Sequence, residues 1–179
     1  LCKKNIGHRK RYFSGDRRPI PASHDNPYVD AFWEWWPTLY PELDHFRMTG
    51  GEPLMDKNTY KVFEYVLKNP SPKLHLDVTS NFSVEPVLFD KYMSYVKRLC
   101  NREILEHFMQ YVSIDSVGAQ AEYIRYGLNY DRMMSNVHCY LSENEQCNSL
   151  TFIITMNNLS VTGIKPLLET ILSLRKQYS

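Results

Sequence analysis

Gly50-Gly51-Glu52-Pro53 sets a backbone hinge beside a carboxylate and closes it with a ring that fixes the exit. Glycine has no Cβ, so the chain can turn sharply there and bring its carbonyls close to a ligand. Those carbonyls, with Glu52 beside them, can accept hydrogen bonds from an ammonium group. A phosphate cradle has the opposite polarity, since it presents N–H donors. The same residues also suit a plain tight turn. Asn81 closes Thr79-Ser80-Asn81, and Ser113, Asp115 and Ser116 lie close together further on. Small hydrogen-bonding side chains of this kind serve ribose hydroxyls or cap the next helix. Arg125 carries a planar fork that can grip a carboxylate, or it can pair with Glu122 three residues earlier. Asn157 and Asn158 can line a pocket or make a turn.

All these groups follow predicted strands. Hydrophobic periodicity predicts strands over 45–49, 74–80, 109–115 and 150–156, and helices over 58–68, 86–99, 119–126 and 164–176. A further helix is predicted over 28–36, capped by Asn26 and stopped by Pro37. A strand followed by a helix, four times over, predicts an α/β fold with a parallel sheet. In such sheets and barrels, ligands sit at the C-terminal ends of the strands.

The bulk numbers set bounds. The 179 residues, 43% hydrophobic, suffice for one ordinary core. Lys+Arg 21 against Asp+Glu 20 gives a net charge of +1, which offers no global argument for nucleic acid or a membrane surface. The His8-Arg9-Lys10-Arg11 run either meets phosphates or is a solvated loop. No apolar run is long enough to span a bilayer, and the first residues lack signal-peptide form. Cys2, Cys100, Cys139 and Cys147 include no Cys-x-x-Cys pair. Their spacing fits neither a zinc ribbon nor a disulfide scaffold, and a reducing, cytoplasmic setting is expected. The start at Leu1-Cys2, with no Met, is read as that of a fragment or a processed product.

The order of these segments resembles the core of the radical S-adenosylmethionine (radical SAM) enzymes. Phe46 to Pro53 is similar to their second strand and amine-binding loop, and Leu76-Asp77-Val78-Thr79-Ser80-Asn81 to their third strand. Val112-Ser113-Ile114-Asp115-Ser116 resembles the fourth strand, Ala121 to Gly127 the helix after it, and Phe152 to Asn157 the fifth strand. The nearest subgroup has a shortened auxiliary-cluster, or twitch, domain. The resemblance implies a partial parallel (βα) barrel over residues 1–179, with about four βα units and the first and last strands missing.

It implies a [4Fe–4S] cluster and S-adenosylmethionine as cofactors, with Cys2 as one ligand and two further cysteines expected upstream. It implies that Gly50, Gly51, Glu52 and Pro53 hold the cofactor's amino group, and that Arg125 with Ser113 holds its carboxylate. Asp115 and Asn81 are expected near the ribose or substrate, and Asn157 near the adenine. The implied reaction is reductive cleavage to a 5′-deoxyadenosyl radical that takes hydrogen from a peptide or other polar metabolite. A flavodoxin or ferredoxin is the expected reductant. Two other readings stay open at this point: a degenerate nucleotide-binding module without the cluster, and an ordinary barrel using Glu52 and Asp115 as acid and base.

Overall fold

The computed structural model describes residues 26–143 and 148–178. The chain divides into two compact units, Leu1–Glu42 and Leu43–Ser179, each described by itself.

In the first unit, helix α1 spans Pro27–Leu39. The Asn26 side chain accepts from the Tyr28 N–H at 3.1 Å, and Pro27 stands in the first turn, where a missing N–H costs nothing. The stop expected at Pro37 does not occur, and a single 3₁₀ turn, Tyr40–Glu42, follows the helix. Proline inside a helix removes one N–H and crowds the carbonyl four residues earlier. Aromatic packing offsets this. Phe32, Trp33, Trp36 and Tyr40 form a chain of ring contacts with centroids 5.2 to 5.9 Å apart.

The second unit runs β1 His45–Met48, α2 Lys57–Lys68, β2 Ser71–Ser80, α3 Pro86–Leu99 and β3 Leu105–Ser113. It continues with α4 Gly118–Ile124, α5 Tyr130–Ser142, β4 Asn148–Ile153 and α6 Ile164–Gln177. The strands form one four-stranded sheet in the order β1-β2-β3-β4, every neighbouring pair parallel. Helices intervene because parallel neighbours need long crossovers. The fold is α/β.

Alternation gives the sheet two unlike faces. Leu76, Val78, Phe108, Gln110 and Val112 are buried on the face the helices cover. There the Phe108 ring lies 6.1 Å from Phe63 of α2 and 6.3 Å from Tyr92 of α3. Gln110 is a polar side chain in this core, and it is satisfied. The Tyr92 hydroxyl donates to its Oε1, and its Nε2 donates to the Tyr111 carbonyl at 2.8 Å. Burial pushes the Tyr92 phenol well above its ordinary pKa.

Several element ends differ from the sequence reading, and one helix is added. β3 begins at Leu105, because its alternation slips there: Leu105 and Phe108 are both buried three residues apart, opposite a register shift on β2 between Ser71 and His75. β4 ends at Ile153, because the next backbone donor, Thr155 N–H, goes to the Asp115 carboxylate. A helix that was not expected, α5, fills 130–142. Its buried stripe of Met133, Asn136, Val137 and Tyr140 includes a polar residue.

Gly163, at the start of α6, packs tightly on the loop before α4. A Cβ there would lie 1.8 Å from Ser116 Oγ and 2.6 Å from Gln120 Oε1. Ser116 Oγ donates to Gln120 Oε1 at 2.8 Å, and Gln120 Nε2 donates to the Leu159 carbonyl at 2.6 Å. The methyl of Gly163→Ala must therefore break this network, and urea unfolding should show a loss of roughly 1–3 kcal/mol. Unchanged stability would contradict the close packing.

Candidate functional site

Parallel pairing carries all the strand ends to one edge. Met48 pairs with Val78, Ser80 with Val112, and Ser113 with Ile153. The segments following β1, β2, β3 and β4 therefore share a single rim.

After β1, Gly50 and Gly51 are exposed and adopt φ of 89° and 50°. No atom lies within 4 Å of a Cβ built on either, so glycine is needed there for backbone angle and not for space. Glu52 Oε1 accepts from Ser80 Oγ at 2.7 Å and from the Leu54 N–H at 3.2 Å. Its Oε2 accepts from the Asn81 N–H at 3.0 Å. This carboxylate thus clamps the exit of β1 to the exit of β2, and the loop's backbone is what it leaves for a ligand. Pro53 is buried and opens a 3₁₀ turn, Pro53–Met55. Below it, the Tyr60 hydroxyl donates to the Leu54 carbonyl at 2.7 Å. Burial first, then the charges of Tyr95 and Glu52, push the Tyr60 phenol up to about 12.

After β2, Asn81 Oδ1 accepts from the Ser83 N–H at 2.8 Å and holds a turn in which Phe82 takes a φ of 61°. Phe82 tolerates this conformation because it is buried among Phe89, Tyr92 and Tyr140, at centroid distances of 5.4, 6.1 and 5.8 Å.

After β3, Asp115 is only 4% exposed. Its Oδ1 accepts from the Thr155 N–H at 2.8 Å, and its Oδ2 lies 2.8 Å from Arg125 Nε. The Arg125 N–H does not point along that line, so the contact is an ion pair and not an aligned hydrogen bond. Arg125 stands just past the end of α4. Glu122, the other partner open to it, instead accepts from the Tyr130 N–H at 2.8 Å and caps α5. A second carboxylate clamp therefore ties the exits of β3 and β4 together and holds Arg125 against them.

Ser113 ends β3 half-buried. Asn157 is exposed, and its Oδ1 accepts from the Leu159 and Ser160 N–H groups at 2.8 and 3.2 Å, so it makes a turn. Gly50, Gly51, Glu52, Pro53, Asn81, Ser113, Asp115, Arg125 and Asn157 all belong to segments at this rim. Cys2 and Cys147 lie outside the described residues. Cys100 is half-buried and Cys139 exposed on α5. Among the described residues, no group of three His, Cys, Asp or Glu is placed to hold a metal ion. No helix of the described residues is long and apolar enough to cross a membrane.

The sheet face away from the helices carries functional groups that motif reading missed. His45, His75 and His107 form a row across three strands, with ring centroids 4.4 and 5.9 Å apart. His107 Nε2 meets Ser149 Oγ at 2.7 Å. Above this row, Arg47 Nε lies 3.4 Å from Asp77 Oδ2, and its guanidinium sits 3.8 Å over the Tyr111 ring. The available signal was period-two alternation, which puts the odd-numbered residues of β1, β2 and the upper part of β3 on one face.

Comparison with family models, with curated proteins and with solved structures finds no match to this chain.

Glu52→Ala strands the Leu54, Ser80 and Asn81 donors, so it should cost about 2 kcal/mol in denaturant unfolding; a loss under about 0.5 kcal/mol would mean that water replaces the clamp. Burial first, then the neighbouring His75, lowers the His107 pKa, against smaller opposing effects of Asp77 and Glu106. The unfolded chain then binds more protons at this site. The stability it contributes is full above about pH 6.5 and is lost as pH falls through the lowered value. His107→Gln should flatten the dependence of the urea midpoint on pH over that window, and an unaltered slope would assign it elsewhere.

Proposed function

We propose that the rim binds the zwitterionic end of S-adenosylmethionine, and that the chain is the core of a radical SAM enzyme built as a partial (βα) barrel of that type. The convergence of a glycine hinge, small polar groups and a guanidinium on one edge of a parallel sheet carries this reading. In it, the Gly50 and Gly51 carbonyls accept from the amino group, while Glu52 shapes the loop. Arg125, oriented by Asp115, faces the carboxylate with the nitrogens its ion pair leaves over, and Ser113 assists. Asn81 and Asn157 fix the turns beside the ribose and the adenine. A planar fork suits a carboxylate better than a point charge does.

The cluster part of the reading rests on Cys2 and on sequence likeness. Thiolates hold such clusters, and the described residues supply no donor set for iron. When bound, the cluster would supply the electron that cleaves the sulfonium. A peptide or polar metabolite substrate, a flavodoxin or ferredoxin reductant and a cytoplasmic setting belong to the same proposal.

The acid–base alternative is weaker on geometry. Glu52 and Asp115 each have both oxygens engaged in the two clamps. A general base needs an oxygen within reach of a substrate proton.

Titration calorimetry tests the binding claim. S-adenosylmethionine should bind at least about tenfold tighter than methylthioadenosine, which lacks the amino acid end, a difference of about 1.4 kcal/mol. Arg125→Lys, which keeps a charge beside Asp115 and loses the fork, should shrink that ratio several-fold. Equal affinities for the two ligands in the parent chain would overturn the assignment.

A further inference from the structure

The half-buried face of the sheet carries a second constellation, one strand row below the rim. Arg47 on β1 pairs in register with Asp77 on β2, and Thr79 on β2 pairs with Tyr111 on β3. The guanidinium of Arg47 nevertheless lies over Tyr111, 3.8 Å from the ring centroid. Its side chain must therefore cross β2 and lean towards the rim. Asp77 Oδ2 lies 3.4 Å from the inner nitrogen, Nε. The ring sets the plane of the guanidinium, and the carboxylate lies beside it as an ion pair, too far for a strong charge-assisted hydrogen bond.

This arrangement leaves the two terminal nitrogens as an oriented fork. Asp77 is the one carboxylate that pairs with Arg47 among the described residues, and the Arg47 side chain is 43% exposed. Beside it, Thr79 Oγ1 is buried with no hydrogen-bond partner among the described residues. An orphaned buried hydroxyl is costly to a fold and calls for an explanation. The accessible group here is the guanidinium, held over a ring with its terminal nitrogens facing outward for a planar anion.

We infer that Arg47, braced by Asp77 and Tyr111, is a binding site for a carboxylate of a ligand held on this face of the sheet. Charge selects a carboxylate over phosphate. Arg47 and Asp77 together are neutral, and the row that holds Thr79, Tyr111 and Thr151 adds no second cation. A planar monoanion matches the fork with two parallel bonds, whereas a phosphate dianion sets about twice the charge against Asp77. The site does not depend on the adenosylmethionine reading, and its failure would leave that reading untouched.

Nuclear magnetic resonance on the intact chain tests it, with acetate, inorganic phosphate and chloride as probes at matched ionic strength. Acetate should move the Arg47 Nε–H and Tyr111 ring signals along a saturating curve. Chloride should give only a shallow linear drift, and phosphate a midpoint at least about threefold higher than acetate. Arg47→Lys keeps the charge and loses the fork, and it should raise the acetate midpoint at least about tenfold. The comparison of anions in the parent chain needs no variant, so it stands even if a substitution unfolds the protein. Identical drift with acetate and chloride, tighter binding of phosphate, or an unchanged midpoint in Arg47→Lys would each overturn the proposal.

Discussion

Two carboxylates hold the strand ends of this sheet in place. Glu52 ties the exit of β1 to the exit of β2, and Asp115 ties the exits of β3 and β4 together and anchors Arg125. A strand ladder fixes residues only as far as its last backbone pair. Beyond that point the chain is free unless side chains hold it. Charge-assisted bonds to backbone N–H groups do this well, because they are stronger than neutral ones and each satisfies a donor that the ladder has left over. The central pair, β2 and β3, joins the two clamped pairs through the sheet's most extensive register.

This has a consequence for chemistry. A carboxylate spent on its own scaffold is not available to a ligand, so the rim offers ligands mainly backbone and the outer nitrogens of Arg125. Glycine angles at Gly50 and Gly51 turn that backbone outward without crowding it. Preorganised groups of this kind cost little to align when a ligand arrives. The two faces of the sheet divide the remaining work. The helix-covered face is mainly apolar, with Ser80, Gln110 and Asn148 as buried polar side chains, and carries the burial that stabilises the domain. The other face is lined with histidines, Arg47, Asp77 and Tyr111, which contribute little apolar burial.

Much of the fold was legible in the sequence, because apolar alternation and helical periodicity report burial directly. The strands were found in the right order, and their shared polar exits could be named. α5 was missed because its stripe includes Asn136, whose amide donates to the Phe82 and Val84 carbonyls at 3.0 and 3.2 Å, bonds that no local pattern reveals. The role of Glu52 was hidden for the same reason. Its partners Ser80 and Asn81 lie 28 and 29 residues away, so the motif marks the loop without showing where the carboxylate points. Arg125 had a near partner in Glu122 and took a distant one in Asp115, since Glu122 is drawn off to cap the next helix. Arg47 stood inside a quoted motif yet passed unnoticed, because its plane is set by Tyr111 on a strand that is not its neighbour.

The central claim is that segments after all four strands act as one binding edge. Backbone amide shifts of the isotope-labelled chain, followed as S-adenosylmethionine is added, test it most directly. The account predicts that the shifts concentrate on 50–54, 80–83, 113–116, 125 and 155–157 and follow one common binding curve. Shifts confined to a single strand end, or spread over the helices on the covered face, would contradict it.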